Sequence, residues 1–282
     1  MRKNYVDNVI RCNKRLFRKN GYNICYNKSI PEDYDPNKKN ILLAIESPEV
    51  VEHECWLKPY MKFYAEVSFS NYYKLKNYYC CRTLYVGHDG WVDLDLNNAF
   101  DNKTELVSMI YSKNNHYSGH RMRHEIADKF GERIDLFGSG TGKYLENKVE
   151  SLADYMFQIV VENGKFPEYV SEKFFDCIKT RTIPIYRGGD VGLRKMGFDP
   201  KGILFFDDLD DLDVILKEKV SYEVYKIMLP HVVDNLHRLV ELRNELKFNY
   251  YLNIIMSGYL HSTNAGIWGN KTDYSKLNLG ID

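Results

Sequence analysis

Apolar and polar positions along this chain fall into blocks, and the period of the blocks changes with position. Ile41–Pro48 (ILLAIESP) opens as an apolar run of strand length that Pro48 breaks. Residues 61–70 (MKFYAEVSFS) alternate as a second strand would, and Arg82–Gly87 (RTLYVG) reads as a third. From Glu105 onward, strand-like runs take turns with stretches of helical period. The pattern predicts strands at Glu105–Ser112, Arg133–Gly138, Phe157–Val161, Thr182–Tyr186 and Ile203–Asp208. It predicts helices at His120–Phe130, at Asn147–Tyr155 and from Val170, then a long amphipathic helix or pair from Tyr222 to about Leu246. Repeated strand–helix units predict an α/β protein whose parallel sheet is wrapped by helices. Such sheets take ligands at the carboxyl ends of their strands. The acidic, turn-like stretch Asp89–Thr104 suggests a division into residues 1–103, residues 104–248 and a tail from 249 to 282.

The run from Phe157 to Gly189 is the most specific. Val170, Phe174, Cys177 and Ile178 share one helical face, and Glu162, Asn163 and Gly164 supply the turn before it. Lys173 then lies in the first helical turn, where the helix dipole disfavours a cation. A phosphate docked at that N-terminus would reverse the penalty, since free N–H groups and an ammonium together bind anions. Spacing alone favours the plainer alternative, a solvated lysine paired with Glu168 or Asp176.

Composition narrows the field. The 282 residues are 44% hydrophobic and 28% charged with zero formal net charge, which argues against nucleic acid as the main partner. No apolar run is long enough for a transmembrane helix, and the N-terminus lacks the apolar core of a signal peptide. The six cysteines show no CxxC spacing. Together these features favour a soluble, cytoplasmic protein with reduced thiols, in the host cytoplasm if its source is viral, and place Cys177 in the core.

Several motifs invite chemistry and mostly decline it. Gly138–Lys143 (GSGTGK) follows a strand, but Phe137 and Tyr144 stand where a Walker A motif needs Gly and Ser or Thr, so it reads as a turn. Asp93–Asp95 and Asp207–Asp211 could hold a metal, though Asp208 serves more simply as a helix cap. His120 and His124 are four apart on a helix with no third ligand, which suggests surface or capping roles. Glu46, at a strand end beside Pro48, is placed to act as a general base. Arg121 and Arg123 open a helix and could clamp a diphosphate, or form an ordinary basic face.

Taken together, these residues resemble the α1,3-fucosyltransferases, glycosyltransferase family 10, in the form of their soluble bacterial or viral members. The match is strongest at Val161–Gly164 (VENG), Tyr169–Lys173 (YVSEK) and Thr182–Gly188 (TIPIYRG). It extends upstream through YSKNNHYSGHRMR and IDLFG, and more thinly to IESP at Ile45–Pro48. Val161, Gly164 and Ser171 depart from the residues usual in the family.

The resemblance implies the GT-B fold, two Rossmann-like domains with parallel sheets facing a cleft: an acceptor-side domain, then a GDP-sugar domain. It implies an inverting, metal-independent transfer of fucose from GDP-fucose to an oligosaccharide acceptor, α1,3 to N-acetylglucosamine, with no cofactor. Glu46 would be the general base. Arg121, or Arg123 in its place, and Lys173 would neutralise the diphosphate. Glu172 would bind the ribose, and Asn163 and Tyr169 would line the fucose and phosphate region. A GT-B transferase using another GDP-sugar, or a non-catalytic nucleotide-sugar or glycan-binding protein, is the alternative.

Overall fold

The computed structural model describes residues 102–167 and 169–242, together with residues 22–26, 39–43, 47, 49–50, 67–68, 79–80, 91–93 and 100. The chain divides into two compact units. One is Met1–His88 with Asn244–Asp282, and the other is Asp89–Arg243. In the first, β1 (Tyr22–Tyr26) pairs in parallel with β2 (Lys39–Leu43), and β3 (Val67–Ser68) with β4 (Tyr79–Cys80). The strand expected at Arg82–Gly87 lies outside the described residues.

The second unit is built on a five-stranded parallel sheet in the order β6-β5-β7-β8-β9. Its strands are β5 (Glu105–Ile110), β6 (Asp135–Phe137), β7 (Tyr155–Val161), β8 (Ile183–Arg187) and β9 (Leu204–Phe205). The central strand β7 is buried along its whole length, as a parallel strand covered on both faces must be. Its amide side chain, Gln158, is satisfied inside: it donates to Ser108 Oγ and to the Ser151 carbonyl, both at 3.2 Å. Pro184, which has no N–H to give, lies in β8 just before the pairing with β9 begins at Ile185.

The described residues of this unit include the helices α1 (Ser118–Phe130), α2 (Glu172–Lys179), α3 (Asp190–Lys195), α4 (Leu209–Glu218) and α5 (Tyr222–Leu242), of which α1, α2 and α5 pack on the sheet. Phe174 of α2 meets Tyr186 and Phe198 edge to face, and Phe157 of β7 meets Tyr225 of α5 in the same way. Cys177 is fully buried, as its place on the apolar face requires. The long helix is a single one through Leu242, despite Pro230 inside it.

Two expectations are corrected. Asn147–Tyr155 is not an α-helix. Only Lys148–Ser151 makes a 3-10 turn, closed by a capping box between Asn147 and Glu150, and Tyr155 already begins β7. The short helix α3 was not anticipated, because six residues present too few apolar positions to show a period.

Candidate active site at the carboxyl end of the central strand

From β5 the chain goes through α1 to β6 on one side, then crosses to β7 on the other. The loops after β5 and β7 therefore diverge above the sheet, at the switch point where open parallel sheets take ligands. Helix α1 starts against the end of β7. The Gly119 amide donates to the Asn163 carbonyl at 3.0 Å, and a Cβ at Gly119 would lie 1.7 Å from the Glu162 carbonyl oxygen. No other residue lets the helix come so close.

The centre of this region is a residue that the sequence presented as turn chemistry. Glu162 is fully buried. Its Oε1 accepts from the Ser171 amide at 2.8 Å and from the Tyr186 hydroxyl at 3.1 Å, and its Oε2 accepts from the Ser171 hydroxyl at 2.6 Å. Ser171 caps α2. Burial, with the Glu162 charge adding to it, pushes the Tyr186 phenol well above its usual pKa, so Tyr186 stays a donor.

Lys173 sits where the sequence placed it, in the first turn of α2. Its Nζ donates to Ser171 Oγ at 2.9 Å and lies 3.5 Å from both Glu162 Oε2 and Glu172 Oε1. Two carboxylates thus offset the dipole penalty. The expected pairing with Asp176 is overturned: that buried carboxylate is used elsewhere. Asp176 Oδ1 accepts from the amides of Trp91, at 2.7 Å, and Val92, at 3.0 Å, while Oδ2 takes Lys148 Nζ at 2.7 Å. Burial alone would lower the Lys148 pKa, but Asp176 and Glu172 outweigh it and raise it. Glu168 lies outside the described residues.

The two arginines part company. Arg123 is buried and donates from Nη1 to the Val161 carbonyl and from Nη2 to Asn163 Oδ1 at 3.2 Å. Burial pulls its pKa down to about 10, against the opposing pull of Glu162, Tyr169 and Glu172. Arg121 is exposed, with Nη1 on the His116 carbonyl at 3.1 Å. Tyr169 is buried, and its carbonyl accepts from the Gly189 amide at 3.0 Å. Glu172 is buried too, with Trp91 Nε1 donating to its Oε1 at 3.3 Å. Arg123, Asn163, Glu172 and Lys173 thus gather at one strand end with Glu162, while Glu46 lies outside the described residues.

His120 is not the surface residue its spacing suggested. It is 7% exposed, and its ring is tilted on Tyr117 at 4.9 Å. Asp95 of the Asp93–Asp95 motif lies outside the described residues, and two other motifs resolve as structure. Gly138–Lys143 is a turn closed by a bridge between its two ends. Asp208 caps α4, accepting from the amides of Asp210 and Asp211, while Asp207 pairs with Lys165. Among the described residues, no three His, Cys, Asp or Glu side chains converge as a metal site would need. A cavity of about 340 Å³ opens at the ends of β8 and β9, between Tyr186, Arg194, Phe205 and Asp207.

Residues 100–195, which hold β5 through α3, match the glycosyltransferase family 10 (fucosyltransferase) C-terminal domain. Over this stretch the chain is similar to that family's domain. The matched stretch contains every expected donor-site residue and the Glu162 centre. The chain is 29% identical to a fucosyltransferase-like protein of Arabidopsis thaliana over 138 residues, 47% of this chain and 26% of that protein. It is 27% identical to alpha-(1,3)-fucosyltransferase B of Drosophila melanogaster over 140 residues, 42% of this chain and 31% of that one. With the alpha-(1,3)-fucosyltransferase FucT of Helicobacter pylori it shares 33% over 84 residues, 30% of this chain and 16% of that one. The matched stretches thus span less than a third of these relatives. A crystal structure of an alpha1,3-fucosyltransferase with GDP aligns with a TM-score of 0.52 at 16% identity, covering 88% of this chain and 80% of that one. At that identity the likeness establishes the fold alone, which is GT-B, as the sequence resemblance implies. No helix among the described residues is long and apolar enough to cross a membrane.

Proposed function

We propose that this protein is a fucosyltransferase that moves fucose from GDP-fucose to a glycan hydroxyl with inversion, without a metal or other cofactor. The observation that carries this reading is Lys173. Its ammonium stands in the first turn of α2, at the carboxyl end of β7, inside the stretch similar to the family 10 domain. A diphosphate there would meet an ammonium and helix N–H groups together.

In this reading Lys173 and Arg121 neutralise the diphosphate as it leaves and gains charge. Arg121 is favoured over Arg123 because it is exposed, whereas Arg123 spends two of its N–H groups on Val161 and Asn163. Glu172, held by the Trp91 indole, receives the ribose hydroxyls. Asn163 and Tyr169 line the fucose and phosphate region. Glu46 takes the proton of the acceptor hydroxyl, whose oxygen attacks the anomeric carbon from the face opposite GDP. The new glycosidic bond forms as the bond to the β-phosphate breaks, and GDP departs with that electron pair. The acceptor is an N-acetylglucosamine-type glycan, joined α1,3.

The test is GDP release from GDP-fucose with a lactosamine acceptor, with and without EDTA, beside GDP-mannose as a control. Turnover of GDP-fucose unaffected by EDTA is expected. Turnover abolished by EDTA would sink the metal-free mechanism, and turnover with GDP-mannose alone would reassign the donor.

A further inference from the structure

We infer that His120 is a further ligand of the donor site, its Nδ1 hydrogen-bonding a diphosphate oxygen of the bound nucleotide sugar. The inference rests on the proposed GDP-fucose reading and adds a residue to it. His120 is 7% exposed, yet its Nδ1 is buried with no hydrogen-bond partner among the described residues. Such an orphan destabilises a fold unless something else uses it. It lies in the first turn of α1, between Gly119, which seats that turn on the Glu162–Asn163 backbone, and Arg121. Tyr117 fixes the ring from one side. The groups that act on its charge are Arg123 and His124 of α1, His116 of the preceding loop and Lys173 of α2, all basic. A buried, unpartnered ring nitrogen in the field of basic groups, among them the ammonium proposed for the diphosphate, suits an anionic oxygen.

Its surroundings keep this imidazole neutral. Burial first, and then the basic neighbours, lowers its pKa to about 4. An anion bonded at Nδ1 favours the charged ring and raises that value, so binding between the two values draws in a proton. GDP-fucose has no group of its own that titrates there.

Calorimetry with GDP-fucose at pH 5.5, in two buffers of different ionisation enthalpy, reads this directly. Uptake approaching one proton is expected, lost in His120→Asn, with affinity about tenfold weaker in His120→Ala. Binding without proton uptake, or uptake unchanged in His120→Asn, would overturn the inference and leave the donor reading standing. No binding of GDP-fucose at all would overturn both. Should the variants fail to fold, the wild-type imidazole resonances decide. A pKa that rises on adding GDP-fucose supports the assignment, and none that moves refutes it.

Discussion

Ser171 touches Glu162 twice, through its amide at 2.8 Å and its hydroxyl at 2.6 Å, and by doing so ties the start of α2 to the end of β7. The same hydroxyl caps the helix and receives Lys173 Nζ. Ser171→Ala removes all three side-chain contacts. We expect a loss of about 2 kcal/mol in stability, from the cap and a buried carboxylate left short of a donor. Chemical denaturation measures it. Ser171→Thr, which keeps the hydroxyl, should recover most of the loss.

Lys173→Ala should remove GDP-fucose binding at concentrations that saturate the wild type, because it leaves Glu162 and Glu172 facing the diphosphate without the ammonium. Glu46→Gln should bind the donor normally and stop turnover, as loss of a general base does. Equilibrium binding and GDP release together separate the two. Normal turnover by Glu46→Gln would remove Glu46 from the mechanism.

Gly119→Ala tests the contact between α1 and the strand end. The added methyl would stand 1.7 Å from a backbone oxygen that cannot rotate away. Helix α1 must then shift, carrying His120, Arg121 and Arg123 with it. Thermal unfolding should show a loss of about 1–3 kcal/mol, and donor affinity should fall with it.

Asp176→Ala removes the carboxylate shared by Trp91, Val92 and Lys148, and strands the Lys148 ammonium. Breaking a buried pair from one side costs about 3 kcal/mol. A drop of that order in denaturant stability is expected, with Asp176→Asn between the two because it can still accept from the amides.

Stability should also fall on acidification in a window set by His120. Its pKa is about 4 in the fold against 6.5 in a free chain, so the unfolded state binds more protons between those values. The neutral ring's contribution is complete above pH 6.5 and is lost as pH falls to 4. The shift corresponds to about 3 kcal/mol. Denaturation at a series of pH values should trace it, and His120→Asn should flatten that part of the profile.

The sequence exposed what has a period or a fixed spacing. β7 and β8 stand out because a buried parallel strand is a solid apolar run, and α2 because Val170, Phe174, Cys177 and Ile178 recur at helical period. Lys173 stood out because it offends the dipole. Glu162 did not, because a carboxylate followed by Asn-Gly looks like a solvated turn, and only the convergence of Ser171 and Tyr186 in space makes it a buried centre. Asp176 was misjudged for the same reason: Lys173 is three residues away in sequence, but its actual partners are Lys148 and the backbone at Trp91 and Val92. His120 was read as a surface residue because its burial comes from α1 lying against β7, which Gly119 alone could have hinted.

The contact between the Trp91 indole and Glu172 has an optical consequence. Indole emission depends on what its N–H is bonded to and on how wet its surroundings are. A ribose competing for the Glu172 carboxylate would change both. Of the three tryptophans, Trp91 is the one with this bond among the described residues. A protein with Trp56 and Trp268 replaced by phenylalanine would therefore carry its own fluorescent gauge of donor occupancy, with no dye and no coupled enzyme.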